Sequence, residues 1–280
     1  MTVNTLTFKN QILDLSVPRI MGILNVTPDS FSDGGKFTSL DIALEQAEQM
    51  IKDGASIIDI GGESTRPGAA EVSLQDELDR VIPVIEAIKQ RFDTLVSIDT
   101  SKAQVMEVAV ANGADLINDV RALQNTGCVQ VAAKAQIPVC LMHMQGLPRT
   151  MQDNPQYDDV VEDVKQFFVE RIAACEQAGI ERNNIILDPG FGFGKTLEQN
   201  YQLLANQKQL LDLGLPILAG ISRKSMIGHL LNREVEERLA GSLSAAVIAA
   251  INGAGIIRVH DVKETVDAIK VLNATQRESR

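Results

Sequence analysis

Eight short apolar runs in this chain stop at residues that can bind or polarise a ligand. In chain order these ends carry Asn25, then Glu63 with Thr65 and Arg66, then Asp99, then Asn118. They continue with His143, Asp188, Ser222 with Arg223 and Lys224, and finally Arg258 with His260. A carboxylate such as Asp99 or Asp188 accepts two parallel N–H bonds, the Asn118 amide supplies both polarities, and Lys224 offsets buried negative charge. Arginine forks match phosphate oxygens, so the arginines among these ends could serve an anion site. Arg258 and His260 lie two positions apart, so on a strand they point to the same side.

Plainer readings exist for several of these residues. Asp99 precedes Thr100 and Ser101 and fits a helix N-cap, while Asp188 before Pro189 fits a turn. His143 is either a pocket residue or a packed core histidine, and His229 reads as structural. The chain has no HxH or HExxH pattern, so a catalytic zinc site is not expected. Gly194-Lys195-Thr196 looks like the end of a P-loop, but Pro189 stands where that motif needs its first glycine.

The elements that must carry these residues follow from the alternation of patterns. The apolar runs are Ile20–Leu24, Ser56–Ile60, Leu95–Ile98, Asp115–Ile117, Pro138–Leu141, Ile185–Leu187, Pro216–Ala219 and Gly255–Val259. Helical stretches separate them: Leu40–Asp53, Leu74–Arg91, Lys102–Asn112, Leu123–Ala135, Asp158–Ala178, Leu197–Leu213, Arg238–Asn252 and Val262–Asn273. Several helical stretches end on a glycine signal, such as Asp53-Gly54 and Ala178-Gly179. Strands alternating with helices imply a parallel sheet, and eight units in 280 residues imply an α/β fold closed into a single (β/α)8 TIM barrel. A doubly wound open sheet is the alternative. Residues 1–17 read as an N-terminal hairpin on the barrel floor, and residues 274–280 as a frayed tail. In a closed barrel all the polar ends converge on one rim, where active sites of this architecture are built.

The formal net charge is -11, which disfavours nucleic acid and anionic membranes as partners. Any phosphate site must therefore be local. Cys128, Cys140 and Cys175 form no disulfide framework and no CxxC pair, consistent with idle thiols in a reducing compartment. The N-terminus lacks the basic and apolar segments of a signal peptide, and the apolar residues 243–259 are too interrupted to span a bilayer. These features point to a cytoplasmic protein.

Eight segments make a more specific case: GILNVTPDSFSDGG (22–35), DIGGESTRPG (59–68), VSIDTSK (96–102), LINDV (116–120), LMHMQGLPRTMQ (141–152), LDPGFGFGK (187–195), GISRKSMIG (220–228) and IIRVHDV (256–262). Together, in this order, they resemble the dihydropteroate synthase family of bacterial folate biosynthesis. The family joins 6-hydroxymethyl-7,8-dihydropterin diphosphate to para-aminobenzoate. The resemblance implies a pterin pocket at Asp99, Asn118, Met142, Asp188, Phe193 and Lys224. It implies a diphosphate site at Asn25, Thr65, Arg66, Arg258 and His260, with Mg²⁺ held on the protein side by Asn25. It places aminobenzoate near Phe31, Pro67, Phe191, Gly192 and Ser222. Asp99, Lys224, Arg66 and His260 are the catalytic candidates. A homodimer formed through the later helices is also implied, with Ala240–Ala250 as a candidate interface that could equally pack inward. Two other readings stay open: a pterin-binding domain of a corrinoid-dependent methyltransferase, and a binding module without activity. The former would lack the NVTPDSFSDGG loop and the SRKS lysine.

Overall fold

The computed structural model describes residues 4–9, 11–26, 36–63, 72–146, 151–152 and 155–278, with only the backbone for 36–39. Eight parallel strands close into a barrel in the order β10-β3-β4-β5-β6-β7-β8-β9. They are β3 (Arg19–Asn25), β4 (Ile57–Gly61), β5 (Leu95–Asp99), β6 (Leu116–Asp119), β7 (Val139–Met142), β8 (Ile185–Asp188), β9 (Ile217–Ala219) and β10 (Ala254–Val259). An antiparallel pair, β1 (Thr5–Phe8) and β2 (Gln11–Asp14), precedes the barrel. This is the expected (β/α)8 architecture with its N-terminal hairpin, and it excludes the open sheet.

Strand periodicity explains both the floor and the rim. Residues at one parity, among them Met21, Ile57, Leu95, Leu116 and Ile186, point into the barrel and cluster with Leu6, Phe8 and Leu15 of the hairpin region. The hairpin therefore plugs the bottom. Two positions later on the same strands the inward residues become Asp59, Ser97, Asn118 and Asp188. Residues of the opposite parity, such as Ile58, Val96, Ile117 and Leu187, face the surrounding helices in a second, larger core. One alternation thus builds an apolar floor, an outer core and a polar mouth.

The helices are α1 (Lys36–Lys52), α2 (Leu74–Arg91), α3 (Ala103–Ala111), α4 (Cys128–Ala135), α5 (Val160–Gln177), α6 (Leu197–Asn206), α7 (Ser225–Leu231), α8 (Leu239–Ile251) and α9 (Val262–Glu278). Local caps set several starts. Ser73 accepts from the Asp76 N–H at α2, Asp159 accepts from the Val161 and Glu162 N–H groups at α5, and Thr196 with Gln199 forms a capping box at α6.

The helix α1 starts at Lys36 and not at the expected Leu40, α7 is an additional helix, and three further boundaries differ from the sequence reading by more than two residues. The helix expected from Leu123 starts at Cys128, because the Asp119 carboxylate takes the N–H groups of Arg121 and Leu123. That holds Ala122 and Leu123 at φ of 51° and 59°, outside the helical region. The stretch from Leu197 tightens after Asn206 into a 3-10 segment, Gln207–Leu213. The last helix runs past Ala274 to Glu278 in place of a frayed tail; Thr275 donates to the Val271 carbonyl, and no glycine or proline stops it. Among the described residues, no helix is long and apolar enough to cross a membrane, and the three cysteines are buried and unpaired.

Candidate active site

The mouth of the barrel opens into a recess of ≈ 310 Å³, counting space continuous with solvent. Asp99, Asn118, Met142, Asp188, Phe193, Lys224 and Arg258 line it, joined by Val120 and Gly220. All six residues expected to hold a pterin therefore share one cavity. Asp99, Asn118, Met142 and Asp188 reach it from the ends of β5, β6, β7 and β8. Phe193 and Lys224 come from the loops after β8 and β9.

Charge in the cavity is tightly organised. Arg258 Nε donates to Asp59 Oδ2 at 2.6 Å, and its Nη2 donates to Asp99 Oδ2 at 2.7 Å. Asn118 Nδ2 donates to the same Asp59 oxygen at 3.2 Å. Asp59 was not singled out from sequence, yet it is fully buried and, among the described residues, its Oδ1 has no hydrogen-bond partner. Its signal was available: it is the one charged residue inside the apolar run ASIIDIGG.

Lys224 Nζ donates to the Phe191 carbonyl and lies 4.3 Å from the centroid of the Phe193 ring. Loss of water lowers its pKa to about 8, with Asp188 opposing that fall and Arg258 reinforcing it. The same desolvation pushes Asp99 up to about 7 against the pull of Arg258, with Asp59 pushing it further up. Asp188 is raised by burial and lowered by Lys224 and by the Gly190 N–H, which donates to its Oδ1 at 2.8 Å. Two acids lining the recess, with Asp59 buried beneath Arg258, thus face two cations, an arrangement that favours a ligand bringing N–H donors or developing positive charge.

At the rim, Ser222 Oγ lies 3.1 Å from His260 Nδ1 and accepts from the His260 N–H at 3.2 Å. A Cβ built on Gly61 would lie 3.8 Å from both Asn25 Oδ1 and Asp99 Oδ2, so the Asn25 amide borders the acidic side of the mouth. Phe191, expected beside aminobenzoate, is fully buried in the outer core and offers the site only its carbonyl. The Gly192 N–H donates to Asn200 Oδ1 at 2.6 Å. Phe31, Thr65, Arg66 and Pro67 lie outside the described residues. His143 does not line the recess. Its ring packs edge-on against Phe167 with centroids 4.9 Å apart, and burial lowers its pKa to about 2, so it is a neutral core histidine.

The sequence pattern described as Pterin binding enzyme matches residues 21–260. A dihydropteroate synthase of Escherichia coli strain K12 is 60% identical over 263 residues, covering 94% of this chain and 93% of that protein. The chain belongs to the dihydropteroate synthase family. A Yersinia pestis dihydropteroate synthase in a sulfonamide drug complex superposes with a TM-score of 0.94 at 58% identity, covering 98% of this chain and 99% of that one. A Xanthomonas albilineans dihydropteroate synthase in complex with 7,8-dihydropteroate superposes with a TM-score of 0.89 at 48% identity, covering 97% and 98%. These relatives favour the synthase over the corrinoid-dependent methyltransferase.

Among the described residues, no group of three His, Cys, Asp or Glu could hold a metal ion. The donor set still suits Mg²⁺ of the kind the family implies. A single amide oxygen at Asn25, completed by water and diphosphate oxygens, fits a small cation that keeps much of its hydration.

Proposed function

We propose that this chain is a transferase moving the 7,8-dihydropterin-6-ylmethyl group from its diphosphate to the amine of para-aminobenzoate, giving 7,8-dihydropteroate and diphosphate. The observation that carries the reading is the convergence of Asp99, Asn118, Asp188 and Lys224 on one recess at the barrel mouth. An aminopyrimidinone edge presents adjacent N–H donors and an acceptor. Asp188 is the carboxylate for that edge, Asn118 meets it with both polarities, and Lys224 donates to ring acceptors. Phe193 and Met142 wall the flat ring.

The bond change follows from the charges. The C–O bond to diphosphate breaks with both electrons leaving on oxygen, and the dihydropterin carries the positive charge that appears. Asp99 and Asp188 favour that charge, while Arg258, His260, Arg66 and Thr65 stabilise the departing anion. Arg258 keeps further N–H groups beyond the two that Asp59 and Asp99 occupy. The arylamine then forms the C–N bond with its lone pair and releases a proton to solvent. An arylamine is neutral at pH 7, so no activating base is needed. Asn25 would hold Mg²⁺, which would supply charge neutralisation at the diphosphate when bound. Ser222, with Phe31 and Pro67, forms the aminobenzoate side, whereas the Gly192 N–H and carbonyl are taken by Asn200 and Gln152.

An exposed apolar face completes the proposal. Leu230 and Leu231 of α7, Val235 and Leu239 after it, and Ile248 and Ile251 of α8 are exposed. Of the segment Ala240–Ala250, Ser242, Ala245, Ala246, Ala249 and Ala250 pack inward. This exposure supports the outward side of α7 and α8 as the homodimer surface of a cytoplasmic enzyme. The assay is direct: with both substrates and Mg²⁺ the purified protein forms dihydropteroate, and its failure to do so under conditions where a relative succeeds refutes the reading.

A further inference from the structure

Lys195 is set aside by the sequence because its P-loop pattern fails, and the reaction above gives it no task. Its placement is nonetheless specific. It is 2% exposed, and its ammonium has three partners: His143 Nδ1 at 3.0 Å, the Gly190 carbonyl at 2.9 Å and the Phe193 carbonyl at 3.1 Å. Among the described residues no carboxylate forms an ion pair with it, and Asp188 acts on it only through space. A buried cation without a directly bonded counter-ion is costly unless its donors are all satisfied, and here all three are.

Its carbonyl partners belong to the loop that holds Lys224. Every carbonyl from Gly190 to Gly194 takes a side-chain donor. Lys195 donates to residues 190 and 193, Lys224 to 191, Gln152 to 192 and the Tyr157 hydroxyl to 194. Gly190, Gly192 and Gly194 sit at φ of 68°, 79° and 62°, which lets successive carbonyls turn to different donors. A Cβ at Gly190 would come within 1.8 Å of the His143 carbonyl, so loop and β7 are in direct backbone contact. The charge on Lys195 is adaptable as well. Burial, then Lys224, lower its pKa to about 7, and as a neutral amine it keeps both carbonyl bonds and accepts from a His143 Nδ1–H.

We propose that Lys195 is a positioning residue for pterin binding: by clamping the Gly190 and Phe193 carbonyls onto the end of β7, it fixes the Phe191 carbonyl and Phe193 ring that aim Lys224 into the recess. This rests on the pterin occupying that recess. Wild-type binding of 6-hydroxymethylpterin by calorimetry, and its loss in Asp188→Asn, are therefore measured first, and failure there refutes the pocket and not the clamp. Lys195→Met is then expected to weaken pterin binding about 10-fold and to raise the KM for the pterin diphosphate, with the aminobenzoate KM changed under 3-fold. In the Lys224→Met background the same change should have almost no further effect, because Lys195 acts through Lys224. Additive losses, or equal changes in both KM values, overturn the proposal. Should Lys195→Met not fold, Tyr157→Phe, which frees the adjacent Gly194 carbonyl, decides: a pterin-selective loss of about 3-fold supports the clamp, and unchanged or unselective binding overturns it.

Discussion

Asp59 and Arg258 are 199 residues apart in the chain, and their side chains meet at 2.6 Å inside the barrel. Asp59 is fully buried, and the Arg258 side chain is 20% exposed. Removing Asp59 leaves Arg258 paired with Asp99 alone and Asn118 without its acceptor, so the cost falls below that of a fully broken buried pair, to about 1–3 kcal/mol. Asp59→Ala is therefore expected to lower the unfolding free energy by about that amount, measured by urea denaturation. Asp59→Asn, which keeps an oxygen acceptor for Arg258 and Asn118, should cost less. If both variants unfold like wild type, the pair does not hold the barrel interior together.

A second expectation concerns the pterin edge. Hydrogen bonds to charged groups contribute about 1.5–3 kcal/mol each, so losing the Asp188 carboxylate should weaken pterin binding by roughly 10- to 100-fold or more. Asp188→Asn preserves shape while removing the charge and turning one acceptor oxygen into an N–H donor. The Asp188 Oδ1 bond from the Gly190 N–H can be kept by the amide oxygen, so folding should survive. Calorimetric titration with the pterin gives the answer, and an unchanged Kd would remove Asp188 from the pocket.

The positions just discussed were not equally legible in the sequence. Asp99, Asn118, Asp188 and Lys224 could be read because each follows an apolar run, and strand parity sends such residues to a common mouth. The barrel was legible for the same reason, and so was its floor, since Leu6–Leu15 carries apolar residues at hairpin spacing. Asp59 escaped because its partners, Arg258 and Asn118, lie on other strands and nothing near it in the chain identifies them. Lys195 escaped because two of its partners are backbone carbonyls, which residue types do not encode. The start of α4 was misread because a side chain, Asp119, competes for the amides that a helix would use.

The exposed face of α7 and α8 gives a third prediction. Ile248 is 44% and Ile251 47% exposed, on the side of α8 away from the barrel. Ile248→Arg adds a charge to that face without touching the recess. Light scattering should report a dimer for the wild type and a monomer for the variant at micromolar concentration. A variant that stays dimeric would place the interface elsewhere.

The last prediction uses pH to isolate Lys195. Its folded pKa is lowered to about 7 from an ordinary 10.5. Between those values the unfolded chain binds more protons than the folded one, so this residue makes stability rise as pH increases from 7 to 10.5. Below pH 7 both states are protonated and the slope from Lys195 vanishes. Lys195→Met removes the term entirely. Lys224, lowered to about 8, slopes in the same direction, and losing the repulsion between the two ammonium groups in the variant weakens that slope there, which adds to the difference with the same sign. His143, lowered to about 2, titrates below the window. The stability of wild type minus that of Lys195→Met should therefore grow with pH across this range, with Lys195 itself contributing no more than about 1.4 kcal/mol per pH unit. Urea melts at pH 7, 8 and 9 measure the slope. A flat difference would mean that Lys195 keeps its ordinary pKa and that its burial does not strip it of charge.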